Sequence, residues 1–300
     1  MAEKDRPASE AEELDSFLGK LESSGQVKEI AGWETGFASL SRVLNGISPG
    51  LYLLIGPPAC GKSAFAKQLI DQIARQNSVP ALFFAFAERK TDVRIRTLAR
   101  LSGLETHDLR RGAGYLLHAY GAPKRQSDDP DELPASWEKL RATAEQAKSW
   151  LDLVYVFECG ERTTLNDIER RISEIRELKK SHNLMMAIDD CQRLGDIGTT
   201  LDTRLPLVVE KLQDLTVRLD LPIFATWPDL EPAQAPQRWA EKITGADVIM
   251  VMREEAERSK RPSEPNRAIA LHIVKNRAGE KATLPFDFLP PLTRFTEAKS

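Results

Sequence analysis

A glycine-rich segment that ends in a lysine and a hydroxyl side chain has the composition of a phosphate-binding loop. It reads Gly56-Pro57-Pro58-Ala59-Cys60-Gly61-Lys62-Ser63 and fits the P-loop pattern G-x-x-x-x-G-K-[ST]. Glycines let backbone N–H groups surround an anion, and the amino end of a following helix adds partial positive charge. We expect Lys62 to reach the β- and γ-phosphates of a nucleotide and the Ser63 hydroxyl to bind Mg²⁺.

The residues on both sides supply the strand and the helix that such a loop requires. Residues 51–55 form a short apolar run after the turn pair Pro49-Gly50, and residues 64–74 have helical spacing. The alternative is a glycine-rich turn that matches the motif by chance, and it would not need this context. The order of strand, loop and helix therefore favours nucleotide binding. The two prolines remove only backbone donors that a loop can spare.

A second candidate element is an acidic pair that ends another apolar run. Residues 184–188 read Leu-Met-Met-Ala-Ile, and Asp189 and Asp190 follow them. A carboxylate at the end of a neighbouring strand can hold the Mg²⁺ shell, which is the Walker B role. Side chains alternate along a strand, so only one of the two can point at the P-loop. We predict Asp189 for this role and keep Asp190 as the second choice. A strand that simply ends in polar residues is the alternative.

Hydrolysis also needs a group that orients or deprotonates water. Glu88 follows the predicted strand 81–87, which we expect to lie close to the P-loop strand. Its carboxylate can then face the γ-phosphate. The residues alone leave a second interpretation equally open. In that interpretation Glu88 is a surface carboxylate near the amino end of helix 91–102, where the helix dipole favours it.

Strand and helix patterns alternate along most of the chain. The predicted strands are 51–55, 81–87, 153–157, 184–188, 222–226, 247–252, 269–274 and 283–288. The predicted helices are 37–45, 63–76, 91–102, 136–149, 164–181 and 205–219. Near-continuous apolar strands between helices are typical of an α/β fold with a mostly parallel sheet covered on both faces. The last two strands follow each other without a helix, which predicts an antiparallel edge.

The bulk composition excludes several classes of protein. The chain has 300 residues, of which 41% are hydrophobic and 29% charged, and its net charge of −3 is not that of a wholly basic nucleic-acid binder. The three cysteines and four histidines lack zinc-ligand spacing, so no zinc site is expected. The cysteines are few and widely spaced, which argues against a disulfide framework and indicates a reducing cytosol. The acidic, polar start is no signal peptide and no apolar run approaches a membrane span. We therefore predict a cytoplasmic protein without membrane contact.

A series of further segments follows the same order as in a known family. In order they are Thr35-Gly36-Phe37, Leu44-Asn45-Gly46, Pro49-Gly50, the P-loop, the strand ending in Glu88, Arg96-Thr97-Leu98-Ala99, Ile188-Asp189-Asp190-Cys191-Gln192, Leu221-Pro222-Ile223-Phe224-Ala225, Ala246-Asp247-Val248-Ile249-Met250 and Lys275-Asn276-Arg277-Ala278-Gly279. This series resembles the C-terminal ATPase domain of the DnaB-type hexameric replicative helicases, which has a RecA-like fold. It covers about residues 30–295 and is much more specific than the P-loop alone.

The resemblance implies roles for further residues and partners. Glu88 matches the family's catalytic glutamate. Lys275 and Arg277 match a basic pair that such ATPases project into the neighbouring subunit's nucleotide, where an Arg can neutralise charge developing on the γ-phosphate. A pair of exposed basic residues at a strand end is the alternative. The family also implies ATP, Mg²⁺, a homo-oligomeric ring (a hexamer), single-stranded DNA and a replication or loader protein as partner.

The domain organisation follows from these assignments. We predict a disordered start with a short linker-type helix at 1–30, a RecA-like P-loop ATPase domain at 31–295 and a tail at 296–300. Residues 10–22 have helical spacing with four apolar side chains on one face. Such a face needs a cover, which is either its own domain or a neighbouring subunit.

Three features depart from the family pattern. No counterpart of the family's N-terminal domain is expected in the roughly thirty residues before the ATPase part. Pro228 stands near the position of a polar Gln and cannot sense a phosphate through its side chain; Thr226 and Asp229 are possible substitutes. The predicted channel loops, 192–206 and 229–245, are not strongly basic, whereas phosphate tracking favours a positive groove.

Three functions follow as hypotheses. The leading one is an ATP-hydrolysing, DnaB-like helicase or translocase that acts on single-stranded DNA. The second is a RecA/KaiC-like regulatory or assembly ATPase without processive unwinding. The third is a binding module in which nucleotide only holds an oligomer together, and the presence of Lys62, Asp189 and Glu88 argues against it. Stimulation of ATPase activity by DNA separates the first from the others, and basal turnover separates the second from the third.

Overall fold

One sheet organises the part of the chain that the structure describes. The computed structural model describes residues 30–112, 135–195, 201–255 and 266–298, together with Leu14. Within these ranges nine strands form a single sheet in the order β3-β2-β4-β5-β1-β6-β7-β8-β9. They are β1 Gly50–Gly56, β2 Ala81–Ala85, β3 Val154–Glu158, β4 Met185–Asp189, β5 Pro222–Pro228, β6 Val248–Glu254, β7 Arg267–Asn276, β8 Ala282–Leu289 and β9 Arg294–Glu297.

The sheet is parallel in its larger part and antiparallel at its carboxy-terminal strands. From β3 to β6 in the sheet order, each neighbouring pair is parallel. Strands β7, β8 and β9 pair antiparallel with their neighbours. Residues 277–281 join β7 to β8 and are too few for the crossover that a parallel pair requires. The predicted α/β fold with an antiparallel edge is confirmed.

Helices connect most of these strands. Within the described ranges they are α1 Ala38–Leu44, α2 Lys62–Asn77, α3 Lys90–Ser102, α4 Thr106–Arg111, α5 Ala135–Leu151, α6 Leu165–Lys179, α7 Leu201–Leu219 and α8 Arg238–Lys242. The sequence pattern predicts all of these except α4 and α8, and it also misses β9, because segments of four to six residues carry too little periodicity. The predicted helix 10–22 lies outside the described residues apart from Leu14.

Two apolar layers cover the sheet. Every residue of β1 is buried, and its side chains alternate between the layers: Leu54 joins one and Leu53 joins the other. Helix α2 packs on the first face through Phe65, and α6 and α7 pack on the second through Ile168 and Leu212. This double cover explains why the parallel strands read as continuous apolar runs. Of the helices in the described ranges, none combines the length and the apolar content needed to cross a bilayer.

The parallel strands bring four segments of the sequence to one edge of the sheet. Gly56 at the end of β1 pairs with Pro228 at the end of β5, and Asp189 at the end of β4 pairs with Ala85 at the end of β2. Ligand sites in open α/β sheets lie outside the carboxyl ends of the strands. The segments after these four strands therefore form the candidate functional site.

Candidate functional site

The predicted P-loop connects the end of β1 to the start of α2. Ala59 and Gly61 have positive φ angles of 61° and 99°, which turn the backbone sharply before Lys62 begins the helix. Among the described residues, no side chain caps this helix end. The first N–H groups of a helix have no acceptor inside it, so an uncapped amino end presents free donors and partial positive charge. The geometry is that of an anion-binding loop.

Close packing explains the two glycines of the motif, Gly56 and Gly61. A β-carbon on Gly61 would lie 2.9 Å from Phe295 Cζ and 3.1 Å from a carbon of Phe288. A β-carbon on Gly56 would lie 2.9 Å from Cys60 Sγ. The aromatic pair belongs to β8 and β9, so the antiparallel edge of the sheet supports the loop from behind.

Lys62 lies against the loop that precedes it. Its ammonium donates a hydrogen bond to the Pro57 carbonyl at 2.8 Å, and the residue is only 8% exposed. A lysine held in this way has lost most of its side-chain freedom before any ligand arrives, which lowers the entropic cost of binding a phosphate.

Asp189 lies fully buried at the end of β4, and one of its oxygens has no hydrogen-bond partner within the described ranges. Thr226 of β5 donates to Oδ1 at 2.8 Å, whereas Oδ2 is left without a donor. Burial and the neighbouring charge of Asp190 raise the pKa of Asp189 to about 6, against the opposing effect of the Thr226 and Ser63 hydroxyls. A buried carboxylate that has an unpaired oxygen and lies near the Ser63 hydroxyl fits a Mg²⁺ ion, which prefers such oxygen ligands.

Asp190 is directed elsewhere. Its backbone has a positive φ of 61°, and its N–H donates to the Thr226 hydroxyl at 2.8 Å. Its carboxylate accepts a hydrogen bond from Gln192 at 3.1 Å. The Thr226 hydroxyl thus joins both members of the acidic pair, and Asp189 is the member that keeps a free buried oxygen.

Glu88 lies three residues beyond β2, where it forms an ion pair with Arg96 of α3. Its strand was expected close to the P-loop strand; the two belong to the same sheet but are not adjacent, because β4 and β5 separate β2 from β1. Glu88 is close to Asp189 instead, and its charge contributes to the raised pKa of that residue. Both side chains of the ion pair are mostly buried, at 16% exposed for Glu88 and 22% for Arg96.

Lys275 and Arg277 lie near the amino ends of β1 and β6, whereas the P-loop follows the carboxyl end of β1. Arg277 follows β7, donates to Asp247 at 3.1 Å and leaves 77% of its side chain exposed. Asp247 in turn accepts from Leu51 N–H, at the start of β1. Lys275 donates to the Thr244 carbonyl at 2.6 Å, and burial, which outweighs the opposing charge of Asp247, lowers its pKa. Neither residue can reach the P-loop of its own chain.

Two arginines near the P-loop were missed by sequence reasoning. Arg267 at the start of β7 donates to the Ala59 carbonyl at 3.2 Å. Arg253 near the end of β6 binds Asp229, the residue directly after β5. Neither arginine stands in a motif, and the antiparallel return of β7 alone brings Arg267 to the loop. Among the described residues, no group of three or more His, Cys, Asp or Glu side chains forms a metal-binding cluster.

The buried charge of Asp189 is expected to lower the stability of the fold, although a Mg²⁺ site would need that charge. A carboxyl pKa raised from 3.8 to about 6 means that the folded state loses about 3 kcal/mol of stability as the pH rises through this interval. Asp189→Asn removes the charge and keeps an acceptor for Thr226. We expect the free energy of unfolding of the nucleotide-free chain to rise by about 2–3 kcal/mol at pH 7.5. Urea unfolding at several pH values measures it.

The pH dependence supplies the control for this expectation. Below about pH 3 the wild-type carboxyl is mostly protonated in both states, so the two chains should differ little in stability. The difference should grow between about pH 3 and pH 7 and then stay constant. A stability difference that is equal at both ends of this interval would show that Asp189 is not the group responsible.

The sheet topology and the glycine-rich loop together define the class of protein, which is a RecA-like P-loop ATPase fold. The chain matches the family described as DnaB-like helicase C terminal domain over residues 32–297, and it belongs to that family. It is 23% identical to the replicative DNA helicase DnaB of Leifsonia xyli subsp. xyli over 285 residues, which cover 89% of this chain and 56% of the relative. The chain spans about half the length of the curated relatives it matches.

Solved structures share the fold. One of them, an ATPase domain, has a TM-score of 0.74 at 17% sequence identity, covering 98% of this chain and 100% of the other. A second, described as a DnaB-like replicative helicase and its interactions with primase, has a TM-score of 0.72 at 16% identity and covers 97% of this chain and 69% of the other. At these identities the likeness is one of fold.

Proposed function

We propose that the chain hydrolyses ATP at the P-loop and works as a DnaB-like translocase on single-stranded DNA. The observation that carries the proposal is the buried Asp189: one of its oxygens has no hydrogen-bond partner in the described part of the chain, and the Ser63 hydroxyl at the start of α2 is near enough to lower its pKa. Backbone N–H groups from Gly61 onward would bind the phosphates, and Lys62 would exchange its bond to Pro57 for a phosphate oxygen. Ser63 and Asp189 would hold Mg²⁺, which neutralises charge on the β- and γ-phosphates.

Glu88 takes the role of orienting or deprotonating the attacking water in this proposal. Its position beside β4 supports the assignment, because it places a carboxylate near Asp189. Arg96 forms an ion pair with this carboxylate. Activation therefore requires Glu88 to turn from Arg96 toward the γ-phosphate, or to accept a water proton while still hydrogen-bonded to Arg96.

We expect Glu88→Gln to lower kcat by about 10²–10³-fold, since a positioned general base contributes about 10²–10⁴-fold. The amide keeps the shape of the side chain, so the affinity for ATP should stay within a few-fold of wild type. Steady-state ATPase assays and equilibrium binding of a fluorescent nucleotide measure the two quantities. Glu280→Gln, an exposed residue between β7 and β8, is the matched control. A kcat within a few-fold of wild type for Glu88→Gln would remove Glu88 from the mechanism.

The active form in this proposal is a ring, a hexamer by analogy with the family. Arg277 and Lys275 supply cations to the nucleotide of the adjacent subunit. Their position supports this arrangement, because the exposed Arg277 guanidinium projects from the edge opposite the P-loop. An arginine delivered in trans makes hydrolysis depend on assembly. A replication or loader protein is the further partner that the proposal includes.

The test of the proposed function is ATP hydrolysis with and without single-stranded DNA, with Lys62→Ala as the blank. Several-fold stimulation by DNA is the expected result. A clear basal rate that DNA does not change would instead favour a regulatory or assembly ATPase. Pro228 at the end of β5, which has no polar side chain to contact a phosphate, is the feature of this chain that favours that outcome. No turnover above the blank would leave a nucleotide-binding module.

A further inference from the structure

A fully buried carboxylate links the P-loop to two other segments. Asp229 follows β5 and has no exposed surface. Its backbone N–H donates to the carbonyl of Gly56, the first P-loop residue, at 2.8 Å. Its carboxylate accepts hydrogen bonds from Glu231 N–H at 3.0 Å, Trp239 Nε1 at 3.3 Å, Arg253 Nη2 at 2.5 Å and Arg238 Nη2. Each carboxylate oxygen therefore binds one arginine.

The cluster is ionised and strongly coupled. Burial opposes the charge on Asp229, but the hydrogen bonds from Glu231 N–H, Arg253 and Trp239 outweigh it and hold the pKa below its usual value. One carboxylate shared between two guanidinium groups cannot neutralise both fully. A change in its bond to one arginine therefore alters the attraction left for the other, as expected for charges in a low-dielectric interior.

The first arm of the cluster, Arg253, lies near the P-loop. Arg253 is only 13% exposed and lies next to Met252, whose Cβ would be 3.2 Å from a β-carbon on Gly56. The positive charges of Lys62 and Arg253 both oppose the effect of burial on the pKa of the Cys60 thiol. Arg253 and Lys62 therefore act on the same part of the loop.

The second arm organises the segment 229–242. Arg238 begins α8, bonds the Glu231 carboxylate at 2.7 Å and stacks on the Trp239 ring at 4.9 Å. A cleft of about 640 Å³ opens beside it, lined by Pro228, Leu230 and Lys242 among others. This segment belongs to a loop that sequence analysis assigned to the channel. Arg238 thus ties the conformation of the segment to Asp229.

We propose that Asp229 is a positioning residue that couples nucleotide at the P-loop to the conformation of residues 229–242, through Arg253 on one side and Arg238 on the other. The inference rests on the proposed nucleotide site. Pro228 cannot form a side-chain hydrogen bond, whereas Asp229, one residue later, binds both arginines. Phosphate at the loop competes with Asp229 for the Arg253 guanidinium. The hold of Asp229 on Arg238 then tightens, and residues 229–242 respond.

Hydrogen–deuterium exchange of peptides covering 229–242 tests the coupling in the full chain, with and without MgADP and a non-hydrolysable MgATP analogue. In wild type we expect nucleotide to change the exchange of these peptides several-fold. Arg238→Gln should bind nucleotide with affinity within about two-fold of wild type but lose the response of the segment. Arg238→Lys keeps a charge for Asp229 and should restore part of it. Asp229→Asn should abolish it.

The control variant is Arg218→Gln, which removes an arginine of α7 that pairs with Glu169 and Asp214, outside the cluster. It should respond like wild type. A wild-type chain that binds nucleotide with an unresponsive segment, or an Arg238→Gln variant with the full response, overturns the inference while the proposed function stands. A wild-type chain that binds no nucleotide overturns both. Because Arg238 is partly exposed, its variants test the inference even where Asp229→Asn fails to fold.

Discussion

Lys62→Ala is expected to abolish ATP turnover, with a loss of at least about 10²–10³-fold in kcat. The substitution removes the cation at the start of α2. This cation is the buried Lys62 ammonium, which donates to the Pro57 carbonyl. Charge that develops on the transferred phosphoryl group would then meet one positive group fewer, and the Lys62 ammonium that supplies it is itself buried, where a charge interaction is stronger than in bulk water. The measurement is steady-state ATPase activity at saturating MgATP.

The control for this expectation is a lysine that lies away from the loop. Lys281→Ala changes an exposed residue at the turn before β8 and should leave turnover unchanged. Circular dichroism and thermal unfolding establish that both variants fold. Undiminished turnover in a folded Lys62→Ala chain would mean that the nucleotide site is misassigned.

Arg277→Ala is expected to reduce hydrolysis by about 10³-fold or more while leaving nucleotide binding largely intact, because arginine fingers contribute about 10³–10⁵-fold to kcat. The geometry excludes a contact between this arginine and the P-loop of its own chain. It lies beside Asp247 at the amino end of β1, and a strand of seven residues places the P-loop about 20 Å away. The measurements are ATPase activity and fluorescent-nucleotide binding of the same preparation.

Mixed rings distinguish a finger in trans from a structural role. Neither Arg277→Ala nor Glu88→Ala rings should hydrolyse ATP efficiently. In a mixed ring, a site on an Arg277→Ala subunit keeps Glu88 and receives Arg277 from a Glu88→Ala neighbour, so some activity should return. Arg110→Ala, an exposed arginine paired with Asp92, is the control. Lost nucleotide binding in Arg277→Ala, or no recovery on mixing, would argue for a structural role.

The sequence was sufficient where the chemistry is local. The P-loop is eight contiguous residues between a strand and a helix, and each neighbour constrains the next. Asp189 was also predictable, because an apolar run that ends in an acid predicts a carboxylate at a strand end. Side-chain alternation predicted that only one of Asp189 and Asp190 can face the P-loop. The structure adds the Thr226 hydroxyl, which bonds the Asp189 carboxylate and the Asp190 backbone.

The sequence was insufficient where the answer depends on strand order. The pattern predicted the strand before Glu88 and placed it close to β1, but it did not predict that β4 and β5 lie between them. The family resemblance implied a role for Arg277, but only the antiparallel pairing of β6 and β7 shows that it lies far from its own P-loop. Strand order is decided by long-range packing, and no local periodicity encodes it.

The amino-acid sequence by itself thus predicted the α/β class, which the fold confirms, and a phosphate-binding loop with an accompanying acid, which remain predictions, because all three follow from adjacent residues and short periods. Only the tertiary structure decided the ion pair of Glu88 with Arg96 and the meeting of Asp229 with Arg238 and Arg253. The members of the second cluster come from three separate elements. Their charges interact strongly because the fold removes them from water together, and no spacing along the chain reports which residues share that burial.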